Sequence, residues 1–154
     1  MALPRLVSAV VFDCDGLLLD TESCWSRAEA SLFADYGFGF GPAEDLLAML
    51  AAALSSSGLD RFFAVSVAAD EVARPKPDPQ LYLRAFELLD ASPRTGVALE
   101  DSATGVAAAK AAGAFLITVP SQPGKRLDGD YTAAALDDAS PVEWARTVAH
   151  PGDG

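Results

Sequence analysis

Asp13 and Asp15 stand two residues apart at the end of the apolar run Ser8 to Phe12, SAVVF. Neighbouring acids repel one another, and taking them out of water raises the cost further. A cation or shared acid/base work gives such a pair a reason to exist. A second acidic pair, Glu100 and Asp101, follows a second apolar run, Thr95 to Leu99. Four carboxylates from two strand ends can converge on one hard divalent ion, and oxygen ligands of this type suit magnesium. Between the pairs lies Lys76, set among Pro75, Pro77 and Pro79, which stiffen the backbone around it. Its ammonium can pair with the acids and with a phosphoryl group. The three loops together then offer a metal, a nucleophile and a cationic clamp.

These loops need elements to position them. The β-branched run Ser8 to Phe12 predicts a strand buried on both faces. Asp20, Thr21 and Ser23 signal a helix start, and Trp25, Ala28, Leu32 and Tyr36 share one face of a helix over 22–36. The glycine-rich stretch from Gly37 to Pro42 breaks it. Leu46, Leu47, Leu50 and Leu54 recur at helical spacing, predicting a helix over 43–57 that stops at Ser55 to Gly58. Phe62 to Val67 reads as a strand. Asp78 can cap a helix lined by Leu81, Ala85, Leu88 and Leu89. A strand over 95–99, a helix over 106–112 closed by Gly113, and a strand over 115–119 broken by Pro120 follow. Residues 123–130 read as a loop, 131–136 as a short edge strand and 142–148 as a final helix. Strands alternating with helices predict an α/β fold with a parallel sheet, Rossmann-like, covered by helices on both faces. In such a sheet ligands bind beyond the carboxyl ends of the strands, where all three loaded loops lie.

Composition bounds the rest. A chain of 154 residues makes one compact domain the default, and 51% hydrophobic residues argue against disorder. The net charge of −11 repels nucleic acid and anionic lipid. Two cysteines, Cys14 and Cys24, are too few for a disulfide scaffold, and the first apolar run is about one strand long against the roughly 20 residues of a spanning helix. A cytoplasmic protein with no nucleic-acid or membrane partner is the expectation. Cys14 reads as a packing residue, because flanking carboxylates raise a thiol's pKa. His150, in a polar tail, is assigned no catalytic role.

Three segments carry a family resemblance. Phe12-Asp13-Cys14-Asp15-Gly16-Leu17-Leu18-Leu19-Asp20-Thr21-Glu22, Lys76-Pro77-Asp78-Pro79-Gln80-Leu81-Tyr82 and Glu100-Asp101-Ser102-Ala103-Thr104-Gly105-Val106 resemble, in that order, the first, lysine and acidic motifs of the haloacid dehalogenase-like phosphohydrolases. The similarity is to the branch of β-phosphoglucomutase-like and phosphoglycolate phosphatase-like enzymes. It extends over most of residues 6–36 and 46–120.

The resemblance implies that Asp13 is the nucleophile that accepts a phosphoryl group, and that Asp15 is the acid/base serving leaving group and water. The Asp13 carboxylate, the Asp15 carbonyl and Asp101 would hold magnesium, with Glu100 completing or supporting the metal shell. Lys76 would neutralise charge on the phosphoaspartate. The implied activity is magnesium-dependent hydrolysis of a small phosphorylated metabolite. The alternatives are a catalytically impaired remnant that binds a metal or a partner, and a receiver-like signalling domain, which the early position of Asp13 disfavours. The branch also places a helical cap, and a strand ending in a phosphate-binding Ser or Thr, between the first two motifs. Neither is found in this sequence, which resembles a member that has lost an internal segment just after Pro42. Ser66 is the candidate replacement hydroxyl, and Ser55 to Ser57 are assigned to the helix stop. The expected organisation is a single haloacid dehalogenase-like core over 1–150, its cap reduced or absent with 22–42 as the candidate remnant, and a tail over 151–154. The surface left open by the missing cap suits a homodimer.

Overall fold

The computed structural model describes residues 2–19, 46–122 and 124–149. The predicted helix over 22–36, the breaker, the cap remnant, Cys24 and His150 lie outside the described residues. Within the described residues four strands, β1 (Ala9–Phe12), β2 (Gly96–Glu100), β3 (Phe115–Thr118) and β4 (Tyr131–Thr132), form one sheet in the order β1-β2-β3-β4. Every pairing is parallel. Among the described residues four α-helices accompany them: α1 (Leu46–Ser57), α2 (Gln80–Leu88), α3 (Ala103–Ala112) and α4 (Ala139–Thr147). The predicted α/β class and parallel sheet are borne out.

Side chains alternate across the sheet and divide the core in two. Ala98 of β2 and Leu116 of β3 point to one face, where Tyr82 and Phe86 of α2 and Val106, Ala108 and Ala109 of α3 cover them. Val97, Leu99 and Ile117 point to the other, where Val7, Ala133 and Trp144 of α4 pack. This is the period-two alternation of strands between two apolar layers. Helix α3 is bounded as its sequence dictates. The Ser102 hydroxyl caps its start by accepting the Gly105 N–H, and Gly113, at φ 87°, ends it in the left-handed conformation. Helix α1 ends in its serines, with Ser56 and Ser57 hydroxyls donating to the Ala53 and Leu54 carbonyls and Gly58 at φ 70°. That is the stop read from the sequence.

Three expectations need correction. All four residues of β1 are only half-buried, because among the described residues β1 is the edge of the sheet. Residues 62–67 form no strand. They follow a short 3-10 turn over Asp60–Phe62, and Phe62 stays 67% exposed while Phe63 packs edge-on against the Phe12 ring. An apolar run becomes a strand only where a neighbour offers a hydrogen-bond ladder, and here none is described. Helix α2 buries Ala85 as predicted, but with Tyr82 and Phe86 in place of the leucines: Leu81 and Leu89 are only half-buried and Leu88 is 41% exposed. Two aromatics at i and i+4 make a larger apolar pair than the leucines, and they take the core side.

Gly96, opening β2, lies where an added Cβ would enter the ring of buried Phe86. Gly96→Ala is therefore expected to lower stability by about 1–3 kcal/mol in urea unfolding. Combining it with Phe86→Leu should recover part of that loss.

Candidate active site

The register of β1 on β2 builds the centre of the site. Phe12 pairs with Leu99, and the Asp13 N–H donates to the Leu99 carbonyl at 3.0 Å. The residue after one strand thus comes beside Glu100, the last residue of the next. Lys76 arrives from the loop before α2, and its Nζ donates to Asp13 Oδ1 at 2.6 Å and to Glu100 Oε1. The side chains of Lys76 and Asp13 are 19% and 18% exposed, and that of Glu100 is fully buried. Oxygens of Asp13, Glu100 and Asp101 lie within 4.8 Å of one another. The structure therefore brings Asp13, Lys76, Glu100 and Asp101 together. Asp15 is exposed on the loop and its carboxylate is not one of that group.

Glu100 occupies a socket. Its Oε1 accepts from Lys76 and from the Tyr82 hydroxyl, and its Oε2 accepts from the Ser102 hydroxyl at 3.1 Å and the Ser102 N–H at 3.4 Å. Gly105, in the first turn of α3, leaves the space that the Glu100 carboxylate fills; any Cβ there would collide with it. A carboxylate so supplied with donors suits support of the site better than direct ligation. Tyr82 and Ser102 lie within the lysine and acidic motifs, whose resemblance implies no role for either. A serine opening a helix directly after two acids was a usable signal for Ser102; Tyr82 was hidden by the leucine pattern of α2.

Asp101 is different. Its Oδ1 is buried with no hydrogen-bond partner, and its Oδ2 lies where a Cβ on Gly16 would approach to 2.6 Å. Gly16 has φ 80°, closed by its own N–H donating to the Leu19 carbonyl. The Asp13 to Leu19 loop thus folds its backbone against Asp101, which demands glycine at that point. A buried carboxylate oxygen without a donor, beside two further carboxylates, fits a hard cation with oxygen ligands.

The electrostatics agree. Burial raises the Asp13 carboxyl to about 6; Lys76 opposes the shift, and the Glu100 and Asp101 charges add to it. One ammonium does not offset burial and two further acids. For Lys76, burial pulls downward, but Asp13 and Glu100 outweigh it and hold the ammonium above its usual range. Tyr82 is pushed far above the ordinary phenol range by burial and then by Glu100, so its hydroxyl is a permanent donor. The half-buried Cys14 thiol is raised to about 11, by burial first and then by Asp15 and Asp13. It stays a thiol at neutral pH, as read from its neighbours.

Ser66 is half-buried in the irregular stretch before the Ala69–Glu71 turn, with no strand to carry it toward Asp13. Asp78 accepts the Gln80 N–H through Oδ1 and pairs with Arg74 through Oδ2, one position ahead of the Pro79 cap.

Comparison with known proteins places this geometry. Residues 43–113 match the family model of haloacid dehalogenase-like hydrolases. The protein CbbY of Rhodobacter capsulatus is 40% identical over 97 residues, which cover 63% of this chain and 38% of that protein. Hexitol phosphatase B of Escherichia coli K12 is 25% identical over 193 residues, covering 79% of this chain and 87% of the relative. That alignment is longer than the chain itself, so the relative carries a substantial stretch with no counterpart here. In each of the first three curated relatives matched, this chain spans less than two fifths of the relative's length. The crystal structure of CbbY from Rhodobacter sphaeroides in complex with phosphate superposes with a TM-score of 0.63 at 22% identity, over 89% of this chain and 99% of that one. The resemblance read from the three motifs, and the core fold it implied, are borne out.

The raised Asp13 carboxyl makes a thermodynamic statement. A fold that binds this proton more tightly than the unfolded chain is favoured by Asp13 at low pH, and loses that contribution as pH climbs from 3.8 through 6. Asp13→Asn should therefore raise the melting temperature of the metal-free protein at pH 7 by a few degrees. It should also flatten the decline between pH 4 and 7, as read by a thermal melt at each pH.

Proposed function

With a haloacid dehalogenase-like core as the premise, we propose that this protein is a magnesium-dependent phosphohydrolase acting on a small phosphorylated metabolite through an aspartyl-phosphate on Asp13. The observation that carries the reading is the Asp13 Oδ1 to Lys76 Nζ contact at 2.6 Å, set beside Glu100 and Asp101 at the carboxyl ends of adjacent parallel strands. Phosphatase-named relatives support the reaction class.

Asp13 attacks phosphorus, forming the acyl-phosphate bond as the bond from phosphorus to the substrate's ester oxygen breaks. Asp15, exposed on the same loop and in contact with solvent, gives that oxygen its proton. Water then attacks the aspartyl-phosphate, Asp15 takes the water's proton, and phosphate leaves with Asp13 restored. Lys76 holds positive charge against the phosphoryl oxygens in both halves, while Glu100 keeps the lysine in place. Asp13, Asp101 and the Asp15 carbonyl would hold magnesium, with Glu100 supporting them; the ion would supply the positive charge that Lys76 alone does not, screening carboxylate from phosphate. The buried, unpartnered Asp101 Oδ1 and the clearance at Gly16 fit that ion.

A second reading has one observation in its favour. No described strand lies outside β1, where a Ser or Thr contacting the phosphate would be carried, and a site lacking that contact can bind a cation without turning over.

Hydrolysis of an aryl phosphate with and without magnesium tests both. Turnover that needs magnesium, falls by roughly 10³-fold or more in Asp13→Asn and by about 10²-fold in Lys76→Met is expected of the enzyme. Magnesium at about 100 times its dissociation constant should raise the melting temperature by roughly 5–10 °C. A thermal shift without turnover identifies the binding remnant, and turnover surviving Asp13→Asn removes Asp13 as nucleophile.

A further inference from the structure

Tyr82 sits in the first turn of α2 at 1% exposure, in the apolar layer that also buries Phe86 at 0%. Packing alone is served by a phenylalanine there, as it is one turn later. A tyrosine buried this deeply needs a partner for its hydroxyl, and the partner is Glu100 Oε1, the oxygen that also receives Lys76. The face of the same ring lies under the lysine, with Nζ 5.2 Å from the centroid. One side chain therefore touches both halves of the central ion pair, the anion with its hydroxyl and the cation with its ring. Ser102 restrains only Oε2, and Gly105 supplies space rather than a bond. Among the described residues, Tyr82 is the neutral group that fixes the oxygen facing Lys76.

We propose that Tyr82 is a positioning residue, its hydroxyl holding Glu100 so that the Lys76 ammonium stays directed at Asp13 and at the phosphoryl group. The inference rests on the phosphohydrolase reading for its catalytic consequence, while its structural half stands on the Glu100–Lys76 contact alone. Because Tyr82 acts through Lys76 and not on bound substrate, its loss weighs on kcat rather than KM.

Tyr82→Phe keeps the ring and removes one oxygen, so the fold is retained. The expected result with magnesium and an aryl phosphate is a fall in kcat of about tenfold, of the size seen when a group behind a catalytic ligand is removed. KM should stay within about a factor of two of its original value. In metal-free protein, Lys76 should react several times faster with an amine-directed reagent, followed by peptide mass spectrometry, with exposed Lys110 as the unchanged reference. In a Glu100→Gln background, Tyr82→Phe should add little, since the route through Glu100 is already cut. An unchanged Lys76 labelling rate in folded Tyr82→Phe overturns the proposal, as does an undiminished penalty in the Glu100→Gln background. If the parent chain hydrolyses no phosphate ester, the phosphohydrolase reading fails, and the labelling rate still decides the role of Tyr82.

Discussion

A single lysine shared between carboxylates on two neighbouring parallel strands is the interaction on which the site depends. Among the described residues three acids approach within 4.8 Å of one another, and the Lys76 ammonium answers two of them, Asp13 and Glu100. Burying such a group costs free energy that pairing alone seldom recovers, so every lone pair must find a donor. Glu100 does, through Lys76, Tyr82 and Ser102; Asp101 leaves Oδ1 without one. The imbalance is local and directional, and it is the electrostatic form expected of a centre completed by a positive ligand. The backbone fixes it: once Phe12 is in register with Leu99, the next residues of both strands share one end of the sheet.

The strand ends were legible because their chemistry contradicts their surroundings. Acidic pairs directly after SAVVF and TGVAL break the apolar pattern abruptly, and a lysine among prolines is equally conspicuous. The two-layer core was legible from the alternation of strands and helices. What escaped was whatever depends on a neighbour. Residues 62–67 have strand composition but no ladder, and β1 has a central strand's sequence while standing at the described edge. On α2 the leucines pointed to one face and the tyrosine–phenylalanine pair won another, which concealed Tyr82. Gly105 stands just ahead of the helix predicted over 106–112, and only the buried carboxylate against it explains why a side chain has no room.

The edge position of β1 also bears on how the family likeness is distributed. The matched family segment, 43–113, holds Lys76, Glu100 and Asp101, while Asp13 comes from outside it on the neighbouring strand. Holding that contact falls to β2, whose ladder with β1 carries Asp13 to the end of the sheet beside Glu100. The central contact is thus made in a chain whose alignment to one full-length relative outruns its own length.

Ser102 joins two structures with one hydroxyl, accepting from the Gly105 amide to start α3 and donating to Glu100 beside the lysine. Fraying of that first turn therefore reaches Glu100 through Oε2, while Tyr82 and Lys76 still hold Oε1. The Gly105 amide resonance, far easier to follow than a buried carboxylate, becomes a spectroscopic gauge of the Ser102 link between helix and carboxylate.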